Sequence, residues 1–150
     1  MRIMQIGGKI ALLLSLGLAG AAAQTRAADA PNPVVRPFQM TGELTFMDVT
    51  SSFPMTLIDR GFASHLGTFF DVGKYTSATE GFGIYYAANG DQIFWRQGNE
   101  GEIQFTGGTG RFKNASGSFK FAMSLGEYVA GPNGTLNYVS SYKGEGQISY

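Results

Sequence analysis

The stretch TGGTGRF, Thr106–Phe112, packs three glycines into five residues between two alternating apolar segments, and its reading decides the fold. A glycine-rich loop can hold a phosphate on backbone N–H groups where it opens a helix, or it can turn the chain where no side chain would fit. The phosphate loop needs a lysine and a hydroxyl at the start of that helix, and the dinucleotide fingerprint needs its glycines inside a βαβ unit. Here Arg111-Phe112-Lys113 runs into Asn114-Ala115-Ser116-Gly117, a turn-prone sequence that supplies no helix. The loop therefore reads as a strand-to-strand corner or bulge.

The flanks agree with that reading. Ile103 and Phe105 alternate with Glu102, Gln104 and Thr106 before the corner. Phe119, Phe121, Met123 and Leu125 alternate with Lys120, Ala122 and Ser124 after it, which predicts a strong inward face. Upstream, Asn89-Gly90 in EGFGIYYAANGDQIFWRQ predicts a two-residue hairpin turn. Counting outward pairs Ala88 with Asp91, Tyr86 with Ile93, Ile84 with Trp95 and Phe82 with Gln97. That more continuously apolar face is expected to point inward, and the same parity carries Glu80 inward at the far end.

Phe38, Met40, Gly42, Leu44 and Phe46 alternate with Gln39, Thr41, Glu43 and Thr45, the pattern of a half-buried strand. From Met55 to Tyr75 apolar residues occupy both parities, so the pattern assigns no faces there. Beyond Pro132-Asn133-Gly134 the run Leu136, Tyr138, Ser140, Tyr142 alternates again, and Gly146–Tyr150 reads as a closing strand. Eight or nine short strands at regular spacing, with no helical period after residue 23, predict an all-β sandwich or barrel; closure would remove exposed edges.

Residues 1–23 combine Arg2 and Lys9, the apolar run Ile10–Leu18 and Ala21-Ala22-Ala23, the layout of a secretory signal peptide with cleavage before Gln24. The apolar run is too short to span a bilayer, so the mature chain is expected to be secreted or periplasmic without stable membrane insertion. Residues 24–35 read as a proline-punctuated flexible tether, and 36–150 as one β domain. Loss of Arg2 and Lys9 leaves nine basic against eleven acidic residues, a balance unlike that of a nucleic-acid binder. No cysteine is present, which removes thiol chemistry and disulfides and leaves stability to buried apolar area and sheet hydrogen bonds.

His65 is the only histidine, so the usual multi-histidine metal sites are excluded and no metal or cofactor is expected. With no G-x-S-x-G elbow to partner it, His65 reads first as a hydrogen-bonded structural residue and second as a general base. Glu80 follows the turn-like Thr76–Thr79 and reads as a carboxylate at the solvated rim, the alternative being a proton-transfer group with a raised pKa in an apolar cavity. Phe46, Tyr86, Trp95, Phe119 and Phe121 are the candidate ligand-lining aromatics, or else core filling.

The run FTGGTGRFKNASGSFKF, Phe105–Phe121, resembles the hallmark of the allene oxide cyclase and dirigent barrel superfamily, through Gly107, Gly108, Thr109, Gly110, Phe112, Ala115 and Gly117. GFASHLGTFF and YYAANGDQIF look like segments of small exported bacterial relatives of that barrel. The resemblance implies a closed antiparallel eight-stranded, calycin-like barrel with a hydrophobic cavity, and, by analogy with plant members, a homo-oligomer such as a trimer. Known members either cyclise a fatty-acid epoxide or steer the coupling of phenoxy radicals. Arg111 and Ser116 stand where dirigent proteins keep an acid and an arginine, and Glu43, nearest to the cyclase glutamate, lies on the polar face, so neither role carries over. The expected function is binding of a small hydrophobic molecule inside the barrel. The alternatives are a cofactor-free isomerase or cyclase using His65 or Glu80, and a ligand-free structural or interaction barrel.

Overall fold

The computed structural model describes residues 33–98 and 101–150, so the expected signal peptide and nearly all of the tether lie outside the described residues. Nine strands follow in chain order: β1 Val35–Met47, β2 Met55–Ala63, β3 Gly67–Tyr75, β4 Gly81–Tyr86, β5 Gln92–Gln97, β6 Ile103–Gly108, β7 Ser116–Met123, β8 Glu127–Ala130 and β9 Leu136–Ser149. The described residues contain no α-helix.

Each strand from β1 to β6 pairs antiparallel with the next, β9 pairs with β7, and β1 closes the circle on β9 through Val35↔Ser149 to Phe46↔Tyr138. The 14-residue β9 holds β7 along Tyr142–Ser149 and β8 along Leu136–Val139, so β8 takes over the same edge where β7 leaves it. The result is a closed antiparallel barrel of eight strand positions, and closure leaves no long open edge for pairing with other chains. Val35, assigned to the tether by sequence, already belongs to β1.

TGGTGRF is both a bulge and a corner. Between Phe94↔Gly107 and Trp95↔Phe105 one extra residue, Thr106, is inserted on β6, and Gly107 has φ +126. Gly110–Phe112 then make one 3-10 turn, closed by Phe112 N–H to Thr109 O at 2.9 Å, and Ala115 N–H bonds Phe112 O at 2.8 Å as the chain enters β7. Gly110 sits at φ +51 against the Asp91 carboxylate, which a Cβ there would meet at 1.9 Å, so both backbone and space demand glycine.

The turn swings Phe112 into one end of the barrel, where it is fully buried and meets Tyr150 edge-on at 4.9 Å. The neighbouring turns are tied around it. Ala88 N–H bonds Leu66 O at 3.0 Å, Thr109 N–H bonds Gln92 O at 2.9 Å, and the Arg111 guanidinium covers the Phe112 ring while donating to His65 O. Burying one such phenylalanine stabilises the fold by roughly 1.5–3 kcal/mol.

The expected inward face of β1 is present: Phe38, Met40 and Leu44 are buried and Glu43 points outward. The expected register of the β4–β5 hairpin is corrected by one residue. Ala87 N–H bonds Asp91 O and Gly90 N–H bonds Ala87 O, both at 2.9 Å, and of the turn residues only Gly90 has positive φ. The loop is therefore the three-residue Ala88-Asn89-Gly90, stabilised by Asp91 N–H to Asn89 Oδ1 at 3.2 Å. Tyr86 faces Gln92, and Tyr85 faces Ile93, so Tyr85 and Ala87 point inward while Phe82 and Tyr86 point out. A single added loop residue reverses every facing on the strand.

Phe62, Phe70, Val72, Phe82 and Tyr86 consequently form an exposed apolar stripe on the outer wall of β2–β4. The inward run of β7 ends at Phe121, because Met123 is partly exposed and Leu125, past the strand end, is fully so.

Candidate functional site

At the end of the barrel opposite Phe112, inward side chains from eight strands leave a cavity of about 20 Å³. Leu44 and Phe46 of β1, Leu57 and Asp59 of β2, Tyr75 of β3, Tyr85 of β4, Trp95 of β5, Ile103 of β6, Phe119 and Phe121 of β7 and Tyr142 of β9 line it. That volume admits about one water. Phe46 and Phe121 are only half-buried, whereas the other lining residues are buried.

Two carboxyls lie in this otherwise apolar interior. Asp59 and Asp71 are register partners on β2 and β3, exposed by 3% and 0% respectively. Tyr142 O–H donates to Asp59 Oδ2 at 2.5 Å, and Trp95 Nε1–H donates to Asp71 Oδ1 at 2.8 Å. Asp59 Oδ1 and Asp71 Oδ2 have no hydrogen bond of normal geometry, the backbone of Arg60 near the first carboxyl and of Val72 and Ile84 near the second acting only weakly on them. An unpartnered buried polar atom costs about 1–3 kcal/mol, so the pair is an expensive arrangement for a barrel that merely fills its core.

Glycines make the arrangement possible. The indole of Trp95 lies flat over Gly73 and Gly83, where an added Cβ would come within 2.5 and 2.6 Å of its ring atoms. With no side chains there, Trp95 reaches from β5 to Asp71 on β3; Asp59 borders the cavity and Asp71 does not.

Electrostatics follow from burial. Desolvation pushes Asp59 up to about 7, against the lowering effect of the Tyr142 hydrogen bond. Asp71 is raised well above the usual carboxylate range, first by desolvation, with the charge of Asp59 adding and the Trp95 hydrogen bond opposing. Tyr75 is raised to about 12 by burial, with Asp71 and Asp59 contributing, and burial likewise raises Tyr85 and Tyr142. A carboxyl that titrates near neutrality beside a cavity can take up or release a proton at physiological pH.

Of the aromatics singled out by sequence, Phe46, Trp95, Phe119 and Phe121 line this cavity. Tyr86 does not, because the register correction puts it on the outer wall. His65 lies at φ +75 in the β2–β3 turn at the plugged end. Both its ring nitrogens are engaged: Nε2–H donates to Pro37 O at 2.8 Å and Nδ1 accepts from Tyr150 O–H at 3.3 Å, which one neutral tautomer satisfies. Glu80 is exposed beside β4, with a long 3.4 Å hydrogen bond from Thr76 Oγ1. Neither residue reaches the cavity, so proton transfer there would fall to Asp59.

Asp59, Asp71, Tyr75, Tyr85 and Tyr142 were not foreseen as site residues. Their signal was present but faint: Leu57, Asp59 and Ala63 share one parity of β2, and Phe69, Asp71 and Tyr75 share one parity of β3. Among the described residues no group of three or more histidine, cysteine or carboxylate side chains could hold a metal ion.

No protein-family model matches the chain, and no curated protein matches it. Among solved structures the chain is similar to the pterocarpan synthase dirigent protein GePTS1, at 11% sequence identity and a TM-score of 0.41, over 79% of this chain and 92% of that one.

Proposed function

We propose that this protein is an exported barrel that binds a small, mainly apolar molecule through its open end. The observation that carries the reading is Asp59, a half-satisfied buried carboxyl at the edge of an aromatic-lined cavity. Ligand sites commonly pair apolar walls with a few convergent polar groups. The cavity as it stands is far below the roughly 300–1,000 Å³ of common ligand sites, so a guest larger than water is admitted by outward rotation of Phe46 and Phe121. A ligand-free filled barrel gains nothing from two buried, half-paired carboxyls, which favours a guest. The test titrates the purified protein with fatty acids, terpenoids and small aromatics while following Trp95 fluorescence and melting temperature. Saturable changes are expected for at least one class, and no response from any of them overturns the reading.

One observation favours a second reading. Asp59 titrates near 7 and borders the cavity, as a proton-transfer group of a cofactor-free isomerase or cyclase would. A turnover that survived Asp59→Asn would remove that role.

A further inference from the structure

The barrel interior holds two carboxyls and no base: among the described residues the buried charged side chains are Asp59 and Asp71. They stand opposite each other on β2 and β3, each bonded on one oxygen by an aromatic donor and without a hydrogen bond of normal geometry on the other. The remaining walls of the cavity are dominated by ring faces and edges, from Tyr75, Tyr85, Trp95, Phe119 and Tyr142. What this enclosure lacks is positive charge: its donors are neutral phenol and indole groups, and those of Tyr142 and Trp95 are already bonded to the two carboxyls. What it offers besides carboxylate is π-density, which attracts cations.

Resting on the binding role argued above, we propose that the guest is a primary amine, whose ammonium head occupies the cavity beside Asp59 and whose apolar chain leaves between Phe46 and Phe121. Size supports the head group. A cavity of about 20 Å³ holds one water, and an –NH₃⁺ group is a compact charge of similar size with three donors. Charge supports it as well, because an ammonium compensates the carboxylate that burial otherwise forces to stay protonated. A neutral hydroxyl head fits the same space but leaves that charge uncompensated.

The proposal sets a proton linkage. The groups facing Asp59 are Asp71 and Tyr75 from β3, Tyr85 from β4 and Tyr142 from β9, none of them basic. An alkylamine stays cationic below about pH 10, as lysine does. Its binding needs ionised Asp59 and therefore releases a proton where Asp59 is protonated in the free protein. With Asp59 titrating at about 7, affinity rises with pH and levels off above that value, and lowering the pH from 8 to 5.5 weakens it roughly 30-fold.

The test compares n-hexylamine with its neutral isostere n-hexanol on the purified protein, following Trp95 fluorescence and melting temperature at pH 8 and pH 5.5. Hexylamine is expected to bind at least tenfold more tightly than hexanol at pH 8, to lose most of that advantage at pH 5.5, and to lose it in Asp59→Asn while hexanol is unaffected. The wild-type pH dependence decides the matter even where the variant folds poorly. If hexanol binds as tightly as hexylamine at both pH values, the amine assignment falls and the apolar-guest reading stands. If fatty acids, terpenoids or aromatics bind and neither hexyl probe does, the amine assignment again falls alone. If nothing in either panel binds, both fall.

Discussion

Asp59 of β2 and Asp71 of β3 face each other across one register step inside the barrel, with Tyr142 bonded to the first and Trp95 to the second. Two carboxyls so placed make the fold itself sensitive to pH. The folded-state pKa of Asp59 is raised from 3.8 to about 7, so the native state holds a proton that the unfolded chain releases. The contribution of Asp59 to stability is then fully present below about pH 4, is lost as pH rises from about 4 to 7, and is absent above, with Asp71 acting in the same direction. Asp59→Asn, which cannot ionise, is expected to flatten the decline and to melt higher than the wild type at pH 8. Thermal unfolding of both proteins between pH 5 and pH 8 checks this, and parallel curves would refute it.

Trp95 reports on its own bed of glycines. Gly83→Ala puts a Cβ 2.6 Å from the indole and overpacks the interior, at about 1–3 kcal/mol. As Trp95 tilts away it loses the hydrogen bond to Asp71, and since it is the only tryptophan its emission is expected to shift to the red. Unchanged emission and stability would show that the indole does not lie on the sheet there.

Phe112 and Arg111 separate packing from surface charge within one motif. Phe112→Ala empties a fully buried site and is expected to cost about 3–5 kcal/mol in denaturant unfolding. Arg111→Ala removes a partly stacked, solvent-facing guanidinium and is expected to cost under about 1 kcal/mol.

The corrected hairpin register makes adjacent tyrosines unequal. Tyr85→Ala is expected to lose about 3–5 kcal/mol, and Tyr86→Ala under about 1 kcal/mol, because the first is 4% exposed and the second 38%. A larger loss at Tyr86 would restore the two-residue turn.

The corner at Gly107–Phe112 was legible because its missing lysine and helix left only a turn, and β1 was legible because Phe38, Met40 and Leu44 alternate with polar residues. β2 and β3 were opaque for a physical reason. Phe62, Phe70 and Val72 cover the outer wall with apolar side chains while Asp59 and Asp71 occupy the inner one, so the contrast on which period-two reading depends is erased and partly inverted. The slip at Asn89-Gly90 has another cause: that dipeptide serves both two-residue and three-residue loops, and the choice lies in the φ of Asn89. The carboxyl pair was hidden for both reasons together, since it is created by strand pairing between residues 12 positions apart.

The Phe112 plug makes the barrel a cup with one mouth. Under the binding role proposed above, a molecule that came in past Phe46 and Phe121 would meet the buried Phe112 end behind it and would leave tail first, against the direction in which it arrived. On that proposal dwell time would depend on how readily two phenyl rings stand aside, and substitutions at the lip would retune release while leaving any selectivity set by the carboxyls unchanged.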